Sequence, residues 1–115
     1  MKIIYLAHPI SGDVDGNIKK ILKIVRYINL TEPDTFPFAH YLVDCQALDD
    51  TNPEERTRGL RNNIAIFQKK GFLDELRLYG NHISYGMRCE IELAQANNIP
   101  IIAMTEETKR DLGSL

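Results

Sequence analysis

The opening of the chain limits its fold more than any other feature. Ile3–Ala7 is an unbroken apolar run that stops at His8-Pro9 and a loop containing Gly12. So short a run, apolar on both alternating faces, is the pattern of a parallel strand covered on both sides. Residues 14–29 then place Val14, Ile18, Ile21, Leu22, Val25 and Ile28 on one helical stripe, with Lys19, Lys20 and Lys23 away from it. Strand, loop and amphipathic helix begin a βαβ unit.

The rest of the chain continues the alternation. Thr31–Pro37 carries two prolines and reads as a loop, leading into a second strand over Phe36–Val43. Gln46–Asn52 is acidic and polar, a surface loop. Asn52 as N-cap, Pro53 at the first helical position and Glu55 three residues past the cap start a helix that should reach about Lys70, with Gly71 past its end. Phe72–Tyr79 is the next strand and Gly80-Asn81 its exit turn. Ser84 can cap a third helix over 85–97, and Ile99–Met104 forms the last strand. Residues 105–115 are polar and predict one helical turn and a frayed tail. The order β-α-β-α-β-α-β predicts an α/β fold: a single-domain, doubly wound parallel sheet of flavodoxin or Rossmann type with helices on both faces. Ligands in such sheets lie beyond the carboxyl ends of the strands, so His8–Asp15, His40–Asp50 and Gly80–Gly86 are the loops to watch.

Composition narrows the function. One domain fits 115 residues, 43% hydrophobic and 26% charged. A formal charge of −2 gives no basic footprint for a nucleic-acid polymer. No run approaches the ~20 apolar residues of a bilayer helix. Cys45 and Cys89 have neither disulfide-framework nor zinc spacing, so a reduced cytoplasmic setting without a metal is expected.

The third helix singles out one carboxylate. Arg88, Glu92 and Gln95 share a polar stripe, and Arg88 with Glu92 makes an i,i+4 pair. Gly86, Glu90, Leu93, Ala94 and Asn97 lie on the other side, a small-residue face suited to packing on a sheet. Glu92 is then a solvated surface group, whereas Glu90 points towards the strands. A carboxylate on a packing face is costly unless paired or used. Pairing would fall to Arg61 or Arg77; use would make Glu90 catalytic. Asp13 and Asp15 read as turn and cap residues, Cys89 as a packing thiol, and Tyr5 as a core residue.

Several stretches resemble the nucleoside 2-deoxyribosyltransferase superfamily. Ser84-Tyr85-Gly86-Met87-Arg88-Cys89-Glu90-Ile91-Glu92-Leu93-Ala94, followed by Asn98-Ile99-Pro100-Ile101, is similar to its glutamate signature, with glycine four residues before the nucleophile and alanine four after. Tyr5-Leu6-Ala7-His8-Pro9-Ile10-Ser11-Gly12 resembles the first strand and loop of that family. Phe38-Ala39-His40 and Leu73-Asp74-Glu75-Leu76 match a small bacterial and phage branch of it. The resemblance implies that residues 1–104 form a deoxyribosyltransferase-like domain followed by the polar tail 105–115.

It also implies roles for individual residues. Glu90 would be the nucleophile, and Asp74 a candidate for the second catalytic carboxylate. Tyr5, His8, Pro9, Ser11 and Gly12 would line a sugar pocket, with His40, Ser84 and Gly86 also binding substrate. The chain departs from the family in four places. His8 replaces a loop glycine, Ser11 a basic residue of phosphate-cleaving relatives, and Glu92 a glycine. The usual second aspartate falls near Arg61-Asn62-Asn63.

The implied chemistry is cleavage or transfer at the N-glycosidic bond of a nucleoside or nucleotide, through a glycosyl-enzyme ester at Glu90. His8, His40 or Asp74 could protonate the leaving base. No cofactor is implied, and a homo-oligomer is expected to close so small a pocket. The alternative is a binding module that holds a nucleotide, or a nucleotide signal, without turning it over.

Overall fold

A computed structural model describes residues Met1–Leu115. Four strands, β1 (Lys2–Ala7), β2 (Thr35–Phe38), β3 (Glu75–Leu78) and β4 (Ile101–Ala103), form one sheet in the order β2-β1-β3-β4. Every pairing is parallel. Five helices connect or follow them: α1 (Val14–Thr31), α2 (Tyr41–Ala47), α3 (Pro53–Gln68), α4 (Tyr85–Ala96) and α5 (Glu106–Gly113). Strand order reverses at β1, which makes the sheet doubly wound and puts a crevice beyond the ends of β1 and β3. The α/β expectation holds.

The period of two in β1 divides the core. Ile4 and Leu6 join Ile21 and Ile28 of α1 on one face. Tyr5 and Ala7 face the other way and join Phe67 of α3 with Met87, Ile91 and Ala94 of α4. One strand therefore serves two hydrophobic layers, which is why its apolar run has no polar alternation.

Helix ends follow their local signals. Asp13 accepts from the Gly16 amide at 3.1 Å, Asn52 from Glu54 and Glu55, and Ser84 from Met87 at 3.3 Å. Gly71 lies past α3 at φ 76°, a left-handed conformation that glycine tolerates.

Three expectations need correcting. The second strand ends at Phe38, and Tyr41–Val43 belong to α2 instead. Packing decides this: the helix lets Tyr41 lie on Tyr5 while Leu42 joins the α1 cluster, and Leu42 and Val43 amides turn back onto Ala39 and His40 carbonyls. The C-terminal segment is no frayed tail. Thr105 and Thr108 form a reciprocal capping box, Thr108 is fully buried and donates to the Leu78 carbonyl, and Asp111 accepts from the Ile83 amide at 2.9 Å. Finally, the buried face of α4 is Met87, Glu90, Ile91 and Ala94, and Gly86 stands exposed with nothing against it.

Candidate functional site

Glu90 is the only carboxylate buried in the layer between the sheet and α3/α4, and it is 9% exposed. Three elements supply its surroundings. From β1 comes the Tyr5 hydroxyl, which donates to Glu90 Oε2. From α3, Asn63 Nδ2 donates to the same oxygen at 3.3 Å. The Tyr5 ring is held 4.8 Å from Phe67 and 5.8 Å from Tyr41, centroid to centroid. Tyr41 spends its own hydroxyl proton on the Leu6 carbonyl, at 2.6 Å.

Both donors meet Oε2, and Oε1 accepts no hydrogen bond from the chain. No buried side-chain oxygen or nitrogen lacks a partner, so Oε1 reaches solvent. The carboxyl group thus has a held oxygen and a free one, the arrangement a nucleophile or base needs.

Burial raises the Glu90 pKa from 4.5 to about 7, against the smaller opposing pull of the Tyr5 and Asn63 hydrogen bonds. Burial, with the Glu90 charge nearby, also pushes the Tyr5 and Tyr41 phenols well above their usual value. The geometry serves either form of Glu90. When it is ionised, Tyr5 donates to it. When it is protonated, its O–H can donate to the Tyr5 oxygen while the Tyr5 proton turns to Asn63 Oδ1, 3.0 Å away.

The arginines considered as partners are elsewhere. Arg77 forks onto Glu32 at 3.0 and 3.1 Å and reaches Glu75 at 3.2 Å, and Arg61 is exposed. Glu92 is exposed as expected. Asp74 is a correction: it precedes β3, at the amino end of the sheet, and its Oδ2 accepts from the Ile3 amide at 2.7 Å. It joins two strands at the end opposite the crevice and takes no part in the Glu90 group.

The loop after β1 contributes on the other face. His8 is 7% exposed; its Nδ1 donates to the Pro9 carbonyl at 2.7 Å, which leaves Nε2 as an acceptor. Burial lowers its pKa, with Lys20 and His82 adding to the effect. Gly80 is packed against this turn at φ 95°, where a Cβ would lie 2.6 Å from Pro9 Cδ and 3.4 Å from His8 Nε2. Ser11 and Gly12 are exposed, and Ser84 is committed to capping α4.

Asn63 is the residue that sequence reasoning passed over. It belongs to Arg61-Asn62-Asn63, near which the resemblance puts a second carboxylate, and that stretch was the one available signal. His40 caps the start of α2, with Nε2 3.5 Å from Asp44 Oδ1.

Comparison with known proteins adds the fold and a family. The crystal structure of a conserved protein from Enterococcus faecalis V583 superposes with a TM-score of 0.61 at 18% identity, covering 99% of this chain and 74% of that one. No curated protein matches. The chain belongs to the family described as a domain of unknown function (DUF7768), which matches residues 2–104.

Proposed function

We propose that this protein cleaves or transfers the N-glycosidic bond of a nucleoside or nucleotide, with Glu90 as nucleophile. The observation that carries the reading is the asymmetric carboxyl group: Oε2 bound by Tyr5 and Asn63, Oε1 open. Departure of a base leaves positive charge at C1′, which Oε1 can stabilise and then trap as an ester. Water or a second base completes the cycle with net retention. The β1–α1 loop, with His8 Nε2 as an acceptor, would take a sugar hydroxyl. Two unpaired thiols suit a reducing, cytoplasmic setting, and self-association would close a pocket on so small a chain.

A second reading is a binding module, favoured by Arg61-Asn62-Asn63 offering no carboxylate near where the resemblance implies one. Incubation with deoxynucleosides, ribonucleosides and their monophosphates, with chromatography for free base, tests both. Base release lost in Glu90→Ala supports the enzyme. Release unchanged in that variant sinks the role of Glu90, and binding without release favours the module.

A further inference from the structure

The proposed reaction needs a proton for the leaving base, and three residues were open for the task. Asp74 is at the wrong end of the sheet, bonded to the Ile3 amide. His8 lies on the turn facing Gly80 and has given its one ring proton to the Pro9 carbonyl. His40 differs from both. Its side chain is half exposed, its Nε2 faces Asp44 Oδ1 at 3.5 Å, and it makes no capping bond to α2. Nε2 thus stands beside the Asp44 carboxylate, and Nδ1 makes no hydrogen bond within the chain.

Two pairs of adjacent residues link the segment that carries this imidazole to the surroundings of Glu90. In α3, Asn62 Nδ2 donates to Asp44 Oδ2 at 3.2 Å, and the next residue, Asn63, holds Glu90. At the start of α2, His40 stacks on Phe38 with ring centroids 6.3 Å apart, and the next residue, Tyr41, packs on Tyr5. Arg58 Nε fixes the Asn62 amide by donating to its Oδ1 at 3.1 Å, which leaves Nδ2 for Asp44.

We infer that His40 is the general acid of the Glu90 site, with Asp44 its positioning residue, and that the substrates served are nucleosides whose base must be protonated to leave. This rests on the reading of Glu90 as nucleophile. In the first step Oε1 of Glu90 forms a bond to C1′ as the C1′–N bond breaks. The electron pair leaves with the base nitrogen, which takes the Nδ1 proton of the His40 imidazolium. In the second step water attacks C1′, the ester breaks, and the water proton passes to His40 Nδ1, restoring the imidazolium. The sum is nucleoside plus water giving base plus sugar.

The test compares purine deoxynucleosides with 4-nitrophenyl 2-deoxyriboside, whose leaving group needs no proton. His40→Asn should lower kcat on the nucleosides by roughly 10²- to 10⁴-fold, the usual contribution of a general acid, and change the aryl glycoside by less than about threefold. Asp44→Asn should give a smaller loss with the same selectivity and an unchanged KM. His40→Gln serves as a second variant should the first misfold. Equal losses on both substrates, or none on nucleosides, overturn the role of His40 while leaving Glu90 intact. If Glu90→Ala spares both substrates, the underlying reading fails instead, and the role of His40 falls with it.

Discussion

The Tyr5 hydroxyl meets Oε2 of Glu90 across 85 residues of chain, and the contact joins β1 to α4 beneath α3. Tyr5 is fully buried, so its ring completes the core while its oxygen addresses the carboxyl group. One side chain thus packs the core and donates to the carboxyl group. The hydroxyl compensates part of the desolvation of Glu90, and the remainder appears as a pKa raised to about 7.

That residue of uncompensated burial makes Glu90 a source of pH-dependent instability. The folded pKa lies above the unfolded one, so the stability is complete below about 4.5 and declines as pH rises through 7. A rise from 4.5 to about 7 corresponds to roughly 3 kcal/mol. Glu90→Gln, close to isosteric and never ionised, should remove this decline while abolishing turnover. Urea unfolding at pH 5 and pH 8 checks it: a wild-type protein equally stable at both would contradict the buried carboxylate.

Asn63→Asp would place a second carboxylate against the first. Like charges within ~4 Å cannot both ionise cheaply, so the pair should hold one proton past neutrality and titrate as a unit. Stability should match the parent at pH 5 and fall below it at pH 8. Carbon-13 titration of the side-chain carboxyls reads the shared proton directly; two independent, ordinary carboxylates would refute the coupling.

Asp74→Ala separates fold from function. The lost partner is one backbone amide at the exposed amino end of the sheet, worth about 1 kcal/mol. Turnover by correctly folded protein should be unchanged. A large loss of kcat at full stability would return Asp74 to the site.

Gly80→Ala tests the turn that supports His8. The residue sits at φ 95° and its Cβ would meet the Pro9 ring at 2.6 Å, so strain and overlap both oppose the change. A loss of about 2 kcal/mol or more is expected, read as a lower midpoint in thermal unfolding. An unchanged midpoint would mean that the turn yields freely.

Much of the architecture is written in short-range patterns. The apolar run of β1, the stripe of α1, and Asn52-Pro53 and Ser84 at helix starts each act through neighbouring residues, so their elements form where the sequence places them. The break at His40–Tyr41 was hidden because burial against two different clusters overrides strand propensity there. The docking of α5 was hidden because its Thr108 and Asp111 bonds go to Leu78 and Ile83, far back in the chain.

The candidate site divides the same way. Spacing along one helix sets Glu90 apart from Glu92, since a period of 3.6 residues turns them to different sides. What holds Glu90 could not be read locally. Two arginines, an aspartate and an asparagine were all at hand in the sequence, and only the packing of α3 over β1 brings Asn63 and Tyr5 to Oε2 while sending Arg77 to Glu32 and Asp74 to Ile3. The sequence by itself determined the alternation of strands and helices and the one inward carboxylate of α4. Tertiary structure decided its partners, because hydrogen bonds between side chains act over a few ångströms and the chain distances they close run from 27 to 85 residues.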